Sequence, residues 1–221
     1  MLETIERQTG ADPQWAVIWL HGLGADGNDF APIVPELVRA HWPAIRFVFP
    51  HAPVRAVTIN GGARMRAWYD IVGMDLASRA DTAGVAESIA QVTALIEREA
   101  QRGIPAERII VAGFSQGGAV TLSLGLGRTQ PLAGLVAMST YLPDPANAAG
   151  KLVQGANTQP LFFAHGSGDQ VVPMALGELS MQTLRDLGFA VQSHRYPMAH
   201  QVCGEEIRDL GDWIEQRLAT A

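Results

Sequence analysis

The sequence predicts an α/β fold in which a mostly parallel central sheet is flanked by helices on both faces. Short apolar runs rich in Val, Ile and Phe recur along the chain, which is typical of strands buried in a parallel sheet. Amphipathic helical patterns separate these runs, and such alternation favours parallel strand order. The 221 residues, 48% hydrophobic and 17% charged, suit a single domain over residues 1–221.

The strand candidates follow one another from the N-terminus to residue 196. The opening segment "ETIERQ" predicts an antiparallel edge strand, and "VQSHRY" (191–196) predicts the last strand. Between them, apolar runs predict strands at 16–20, 45–49, 108–114, 132–139 and 160–165.

Two segments carry the spacing of an amphipathic helix. In 82–102 apolar residues recur every three or four positions and Gly103 follows as a stop signal. A second pattern covers about 205–219. These helices are expected to pack on the sheet.

Composition and charge exclude several classes of partner. The formal net charge is −6 and no Lys or Arg cluster exceeds "GGARMRAWYD", so we predict no nucleic-acid partner. No uninterrupted apolar run approaches the roughly 18 residues of a membrane span, so we predict no stable membrane insertion. The single cysteine allows no internal disulfide. The N-terminal residues lack a signal-peptide pattern, which favours a cytoplasmic protein. No metal-binding spacing of His and Cys is present, so no metal site is expected.

The strongest chemical signal is the segment 113–117, Gly-Phe-Ser-Gln-Gly, which matches the pattern G-x-S-x-G. It follows a predicted strand and precedes small residues that predict a helix, which is the context of a nucleophilic serine. A serine on such a strained turn needs neighbours without side chains, and Gly113 and Gly117 supply that clearance. We therefore predict that Ser115 is a nucleophile; the alternative is a plain strand-to-helix turn.

A serine nucleophile requires a base and an orienting acid, which follow it in the order acid, then histidine. His200 lies in "YPMAHQVCGEE", between the last strand and the last helix, where it can reach over the end of the sheet toward Ser115. We predict that His200 is the base. Other histidines are interpreted as packed, hydrogen-bonded or exposed, namely His41, His51, His165 and His194.

Two aspartates compete for the role of the acid. Asp169 lies in the glycine-rich segment "AHGSGDQVVP", just after the strand 160–165, and we predict that it orients the histidine. Asp144 is the rival, but its Pro-Asp-Pro context is typical of a plain turn. Cys203 lacks a comparable turn and is interpreted as a bystander thiol.

The segment 22–27, "GLGADG", also fits the G-x-G-x-x-G pattern of a dinucleotide-binding turn. The next strand ends without the acid that would bind a ribose. Asn28 or Asp29 is predicted as a helix N-cap with Pro32 in the first turn, so the helix begins after the glycines. Asp26 and Asp29 would also repel a pyrophosphate. We predict no cofactor.

The same loop has a second interpretation as a source of backbone hydrogen-bond donors. Hydrolases of this kind bind an oxyanion with the amide of the residue after the nucleophile and with a second amide from an early loop. Gln116 and Leu23 are predicted for these two positions, with Gly22 and Gly24 giving the loop its backbone freedom. Such a donor contributes about 2.7–4 kcal/mol to transition-state binding.

Seven segments occur in a fixed order: "LHGLGADGNDF", "FPHAP", "NGGARMRAWYDI", "GFSQGGAV", "STYLP", "AHGSGDQVVP" and "YPMAHQV". Through these segments and their order, the chain resembles the carboxylesterase and acyl-protein thioesterase family of α/β-hydrolases from about residue 5 to residue 218. The resemblance implies an α/β-hydrolase fold. It also implies the triad and the two oxyanion amides chosen above.

The resemblance further implies an apolar acyl pocket near "WYDI", "STYLP" and Val171. Trp68, Leu142 and Val171 are its candidate lining residues, with ordinary core packing as the alternative. The stretch 50–81 has little periodicity, and loops of that length are often covers of functional sites. We predict that it is a long loop that partly covers the active site.

These observations predict a serine hydrolase that cleaves carboxylic esters or thioesters of short to medium acyl chains through an acyl-enzyme. A lysophospholipase or peptidase with the same triad is one alternative. A non-catalytic binding protein with this fold is another. The expected partner is a small-molecule ester or thioester; an acylated protein as substrate and a homodimer are left open.

Overall fold

The computed structural model of the chain describes residues 1–73 and 81–219. Seven of the strands in these residues form one sheet in the order β1-β3-β2-β6-β7-β8-β9, and β4 and β5 form a separate pair. The strands are β1 (Thr4–Gln8), β2 (Trp15–Leu20), β3 (Ile45–Pro50), β4 (Val54–Val57), β5 (Ala63–Arg66), β6 (Ile109–Phe114), β7 (Gly134–Met138), β8 (Leu161–Gly166) and β9 (Val191–Tyr196).

The large sheet is parallel apart from its first strand. β1 pairs antiparallel with β3 in the register Thr4↔Pro50, and every later pair is parallel. The central strands β2 and β6 have nearly all residues buried, because helices cover both faces. The predicted strands are confirmed, with ends that differ by one or two residues.

Helices lie on both faces of this sheet. They are α1 (Val34–Leu37), α2 (Thr82–Gln101), α3 (Gln116–Leu126), α4 (Ala148–Lys151), α5 (Met174–Asp186) and α6 (Gly204–Leu218). Short 3-10 turns span Ala31–Ile33, Thr58–Asn60, Ala106–Arg108, Pro145–Asn147 and Ala156–Thr158. Within the described residues, no helix has the length and apolar character needed to cross a membrane.

Alternate residues of each strand face two separate cores. Ile18 and Leu20 of β2 pack in the core that α2, α3 and α5 cover. Val17 and Trp19 pack in the opposite core, which α1 and α6 cover. This period of two is the reason that an uninterrupted apolar run marks a strand buried on both faces.

Three local features differ from the prediction. The stretch 50–81 contains the hairpin β4–β5, whose reversal uses Gly61 and Gly62 at φ 65° and 78°; residues 74–80 lie outside the described part. Helix α5 was not predicted. The expected N-cap at Asn28 or Asp29 is wrong, since Phe30 precedes the first helical turn without a side-chain cap.

The first turn of α6 contains a buried carboxyl group, that of Glu206. Burial raises its pKa from 4.5 to about 8, and the charge of Asp209 adds to the effect. The folded protein therefore retains a proton that the unfolded chain releases. We expect the free energy of unfolding to fall by about 2–4 kcal/mol as the pH rises from about 5 to 8.

Urea unfolding of Glu206→Gln measures this contribution, because the amide does not titrate. In this variant, the free energy of unfolding should change little between these two pH values. Glu205→Gln is the matched control, since Glu205 is exposed in the same turn, and it should keep the wild-type pH dependence. Equal pH dependence in all three proteins would contradict a buried, protonated Glu206.

Candidate active site

Ser115 occupies the turn between β6 and α3 in a strained conformation, with φ 52° and ψ −118°. Its N–H donates to the Met138 carbonyl at 2.9 Å, and its carbonyl accepts from the Thr140 hydroxyl at 2.6 Å. The last residue of β7 and the loop that follows it therefore hold both polar groups of the strained residue. A left-handed conformation at a non-glycine residue is retained only where the surroundings enforce it.

The two glycines around Ser115 are required by close backbone approach. A Cβ at Gly113 would lie against the backbone of Gly117 and Gly118. A Cβ at Gly117 would lie 2.7 Å from the His21 carbonyl oxygen. The absence of these side chains lets α3 begin directly behind the end of β2.

The structure brings the predicted base to Ser115. His200 follows β9, and its Nε2 lies 2.9 Å from the Ser115 Oγ. Its ring packs against Phe114, with the ring centroids 4.8 Å apart. Nδ1 lies 2.7 Å from the Asp169 Oδ2, so Nδ1 carries the proton that this bond needs and Nε2 is left to accept the serine proton.

The structure also brings the predicted acid to this histidine. The Asp169 side chain is fully buried. Its Oδ1 accepts the N–H groups of Val171 and Val172 at 2.9 and 2.8 Å, while Oδ2 faces His200. These bonds fix the carboxylate in one orientation, which in turn orients the imidazole.

The rival residues have hydrogen-bond partners of their own, although His165 Nε2 also lies 3.6 Å from the Asp169 Oδ2. Asp144 pairs with Lys151 at 2.6 Å, and this hydrogen bond holds the pKa of its carboxyl below the ordinary value. The other weighed histidines have these partners: His41 contacts Glu215, His51 accepts from the Gly27 amide, His165 bonds the Val172 carbonyl, and His194 contacts Asp209.

Leu23 and Gln116 line one cavity together with Ser115. Gln116 begins α3, where the first amides of a helix have no partner within it. Gly24 has φ 78° and its N–H donates to the Arg66 carbonyl. The expectation for Gly22 is corrected: its φ is ordinary, and it provides room, since a Cβ there would lie 3.2 Å from the Phe114 ring.

His21, which precedes this loop, was not predicted to have a role. Its Nδ1 bonds the Gly22 carbonyl at 2.7 Å, and its Nε2 accepts the Ala52 amide at 3.0 Å. Burial lowers the pKa of the imidazole to about 4, so the ring stays neutral and keeps both bonds near pH 7. His21 therefore ties the Leu23 loop to the chain after β3.

The cavity beside Ser115 has a volume of about 440 Å³. Val171 lines it, as predicted from the resemblance, and is 56% exposed. Trp68 and Leu142 do not line it: both are fully buried, and the Trp68 indole donates to the His21 carbonyl. Their sequence neighbours line the cavity instead: Tyr69, which follows Trp68, and Tyr141, which precedes Leu142.

The side chain of Gln116 joins the serine turn to the segment that follows β5. Its Oε1 accepts the Trp68 N–H at 2.8 Å, and its Nε2 donates to the Tyr69 carbonyl at 2.7 Å. Sequence reasoning selected Gln116 only for its backbone amide. A buried glutamine beside a nucleophile is the signal that could have indicated the second role.

We expect Gln116→Met to lower the free energy of unfolding by about 1–3 kcal/mol, because it leaves two buried backbone groups unpaired. It should also lower kcat/KM of the folded protein, since the Tyr69 wall of the cavity is released. Gln159→Met is the matched control: Gln159 is equally buried and bonds Leu132 and Gly125. It should lose stability alone, and equal kinetic losses in both variants would contradict the role of Gln116.

The sheet order and the serine at the β6–α3 turn define the protein as an α/β-hydrolase of the serine type. The sequence pattern of the phospholipase/carboxylesterase family matches residues 3–218, and the chain belongs to that family.

Named relatives agree with this placement. The chain is 39% identical over 212 residues to acyl-protein thioesterase 1 of Neurospora crassa, covering 91% of this chain and 86% of that protein. It is 38% identical to acyl-protein thioesterase 1 of Mycosarcoma maydis, covering 96% and 95%. The crystal structure of Zea mays acyl-protein thioesterase 2 is similar with a TM-score of 0.86 and 27% identity, covering 99% and 100%. The chain is a serine hydrolase that acts on esters or thioesters, and its substrates are acylated compounds.

Proposed function

We propose that Ser115, His200 and Asp169 are the catalytic triad of this hydrolase. The observation that carries the proposal is the continuous hydrogen-bonded chain from the Ser115 Oγ through both ring nitrogens of His200 to Asp169, at 2.9 and 2.7 Å. Ser115 attacks the acyl carbonyl while His200 takes its proton. His200 then gives a proton to the leaving alcohol or thiol, and water cleaves the acyl-enzyme by the same route.

The oxyanion of the tetrahedral intermediate is bound by the Leu23 and Gln116 amides in this proposal. The support is that both residues line the cavity with Ser115, and that the Gln116 amide lies at the positive end of α3. Donors fixed in position before the reaction stabilise developing charge without reorganisation. The buried bonds of His21 keep the Leu23 loop in place.

The acyl chain lies in this proposal along the apolar part of the cavity, which Tyr69, Ile71, Tyr141 and Val171 line. The Tyr69 and Tyr141 hydroxyls are 3.1 Å apart, and this bond joins two walls and limits their separation. The segment before residue 74 contributes Tyr69 and Ile71, which supports a role as a partial cover of the site. We propose short to medium acyl chains as substrates.

The named relatives lead us to include S-acylated proteins among the substrates. The edge of the cavity at Val171 is accessible to solvent. This accessibility favours substrates whose bulky leaving group stays outside the cavity. The single domain over residues 1–221 and the cytoplasmic location remain predictions from the sequence, and the homodimer stays open.

A chain-length series tests the proposed substrate range. Hydrolysis of p-nitrophenyl esters from acetyl to palmitoyl, and of the matching thioesters, should give the largest kcat/KM between butyryl and octanoyl. Val171→Phe should move this maximum to shorter chains because it narrows the cavity. Leu179→Phe is the control, since Leu179 is exposed on α5 and does not line the cavity. A profile that still rises at palmitoyl would contradict the proposal.

A further inference from the structure

The wall of the catalytic cavity includes a carboxylate that the proposed mechanism does not use. Asp29 lines the cavity together with Ser115 and His200. The other ionisable side chains on the described wall are those of Tyr69, Tyr141 and His200, and none of these is a carboxylate. Asp29 is therefore the source of fixed negative charge on this wall.

The Asp29 carboxylate has no ion pair or side-chain hydrogen bond with any residue of the described ranges 1–73 and 81–219. Asp29 is exposed at the cavity mouth, and desolvation by its neighbours together with the nearby charge of Asp26 raises the pKa of its carboxyl. Asp26, in contrast, accepts the Asn28 N–H at 2.7 Å and does not line the cavity. Of these two aspartates, the one without a partner in the described ranges is thus the one that lines the cavity.

The arginines of the neighbouring hairpin do not neutralise this charge at the wall. Arg66 donates to the Ala52 carbonyl at 2.9 Å, Arg64 to the Val54 carbonyl at 3.4 Å, and Arg55 pairs with Glu87 at 3.2 Å. None of the three lines the cavity. During the reaction the imidazolium of His200 is paired with Asp169, so Asp29 leaves the described part of the wall with a negative charge.

The lining divides into an apolar and a polar part. Methylene groups are stabilised by burial against apolar side chains, so the acyl chain occupies the wall that contains Tyr141 and Ile71. The polar side chains of the lining include those of Asp29 and Asn60. They are left for the alcohol or thiol portion of the substrate.

We propose, on the basis of the function proposed above, that Asp29 selects esters and thioesters whose alcohol or thiol portion carries a positive charge. It disfavours those with an anionic leaving group, such as coenzyme A thioesters. The recognised chemistry is a cation beside the scissile bond, either in a small quaternary ammonium ester or in a basic peptide that surrounds an S-acyl cysteine. Opposite charges across a partly desolvated cavity attract, and like charges repel.

Three thioesters with one acyl chain test this selectivity: butyrylthiocholine, S-butyryl-mercaptoethanol and butyryl-coenzyme A, each followed by release of the free thiol. Wild-type kcat/KM should decrease in that order. In Asp29→Asn the ratio of the cationic to the anionic substrate should fall about tenfold. The wild-type ratio should also shrink as salt is raised, because ions screen the attraction. Asp26→Asn is the control, and its ratio should stay within about twofold of wild type.

A second pair of substrates separates the two sources of the cation. S-butyryl cysteine peptides with lysine or glutamate on both sides should differ in kcat/KM in the wild type, and less in Asp29→Asn. A response in either the choline or the peptide arm supports the proposal and identifies the source. An unchanged ratio in both arms overturns it. Lack of wild-type turnover of the neutral thioester would instead refute the proposed function.

Discussion

Ser115→Ala should lower kcat for p-nitrophenyl butyrate by about 10⁴- to 10⁶-fold, because no other group on the triad can form the acyl-enzyme. The free energy of unfolding should change by less than about 1 kcal/mol, since within residues 1–73 and 81–219 the hydroxyl forms one hydrogen bond, to His200. Steady-state hydrolysis and urea unfolding measure the two effects separately. A fluorophosphonate probe should label the wild type and not the variant.

Ser123→Ala is the matched control for this loss. Ser123 lies on α3, the helix that Ser115 precedes, and is half-buried. Its removal should leave both hydrolysis and labelling close to wild type. Turnover that survives in Ser115→Ala at more than a thousandth of the wild-type rate would remove Ser115 from the role of nucleophile.

Asp169→Asn should lower kcat by about 10³- to 10⁴-fold. The amide preserves the size of the side chain, and its oxygen can still accept the Val171 and Val172 amides. Its NH₂ group then faces the Nδ1 of His200 and favours the tautomer that cannot accept the serine proton. Single-turnover acylation with the same ester measures the loss directly.

Asp144→Asn separates this effect from a general loss of acidic charge. Asp144 pairs with Lys151, so the variant loses a surface ion pair, and such pairs contribute about 0–1 kcal/mol to stability. Its kcat should stay within about twofold of wild type. A large loss in Asp144→Asn with little loss in Asp169→Asn would reverse the assignment of the acid.

The buried parallel strands could be predicted from the sequence because the signal, an uninterrupted apolar run, does not depend on the exact strand ends. A run such as β2 is apolar on both faces, so a shift of one residue leaves the prediction intact. Helix α5 was missed because Gly177 and Ser180 are on its buried side. Gly177 makes room for the His165 ring, and the Ser180 hydroxyl accepts the Leu142 N–H. The buried and exposed faces of α5 therefore differ little in hydrophobicity.

The triad residues could be predicted because each has a local marker in the sequence: the serine turn, a glycine-rich loop and a histidine after the last strand. The acyl wall had no such marker. Neighbouring residues such as Trp68 and Tyr69 point in different directions, and the sequence does not reveal which one faces the cavity. Trp68 turns inward because its indole donates to His21, a contact between residues 47 positions apart.

The hydrogen bond between Ser115 and His200 joins residues 85 positions apart, and β9, which leads to His200, pairs with β8 in the register Leu161↔Val191. A chain whose C-terminal strand has not yet paired holds its serine without the histidine. Recovery of esterase activity after dilution from urea is therefore a kinetic reporter of strand β9 docking. Tryptophan fluorescence reports on all five tryptophans, from Trp15 on β2 to Trp213 on α6, so a lag of activity behind fluorescence would measure how late His200 reaches Ser115 after the core has packed.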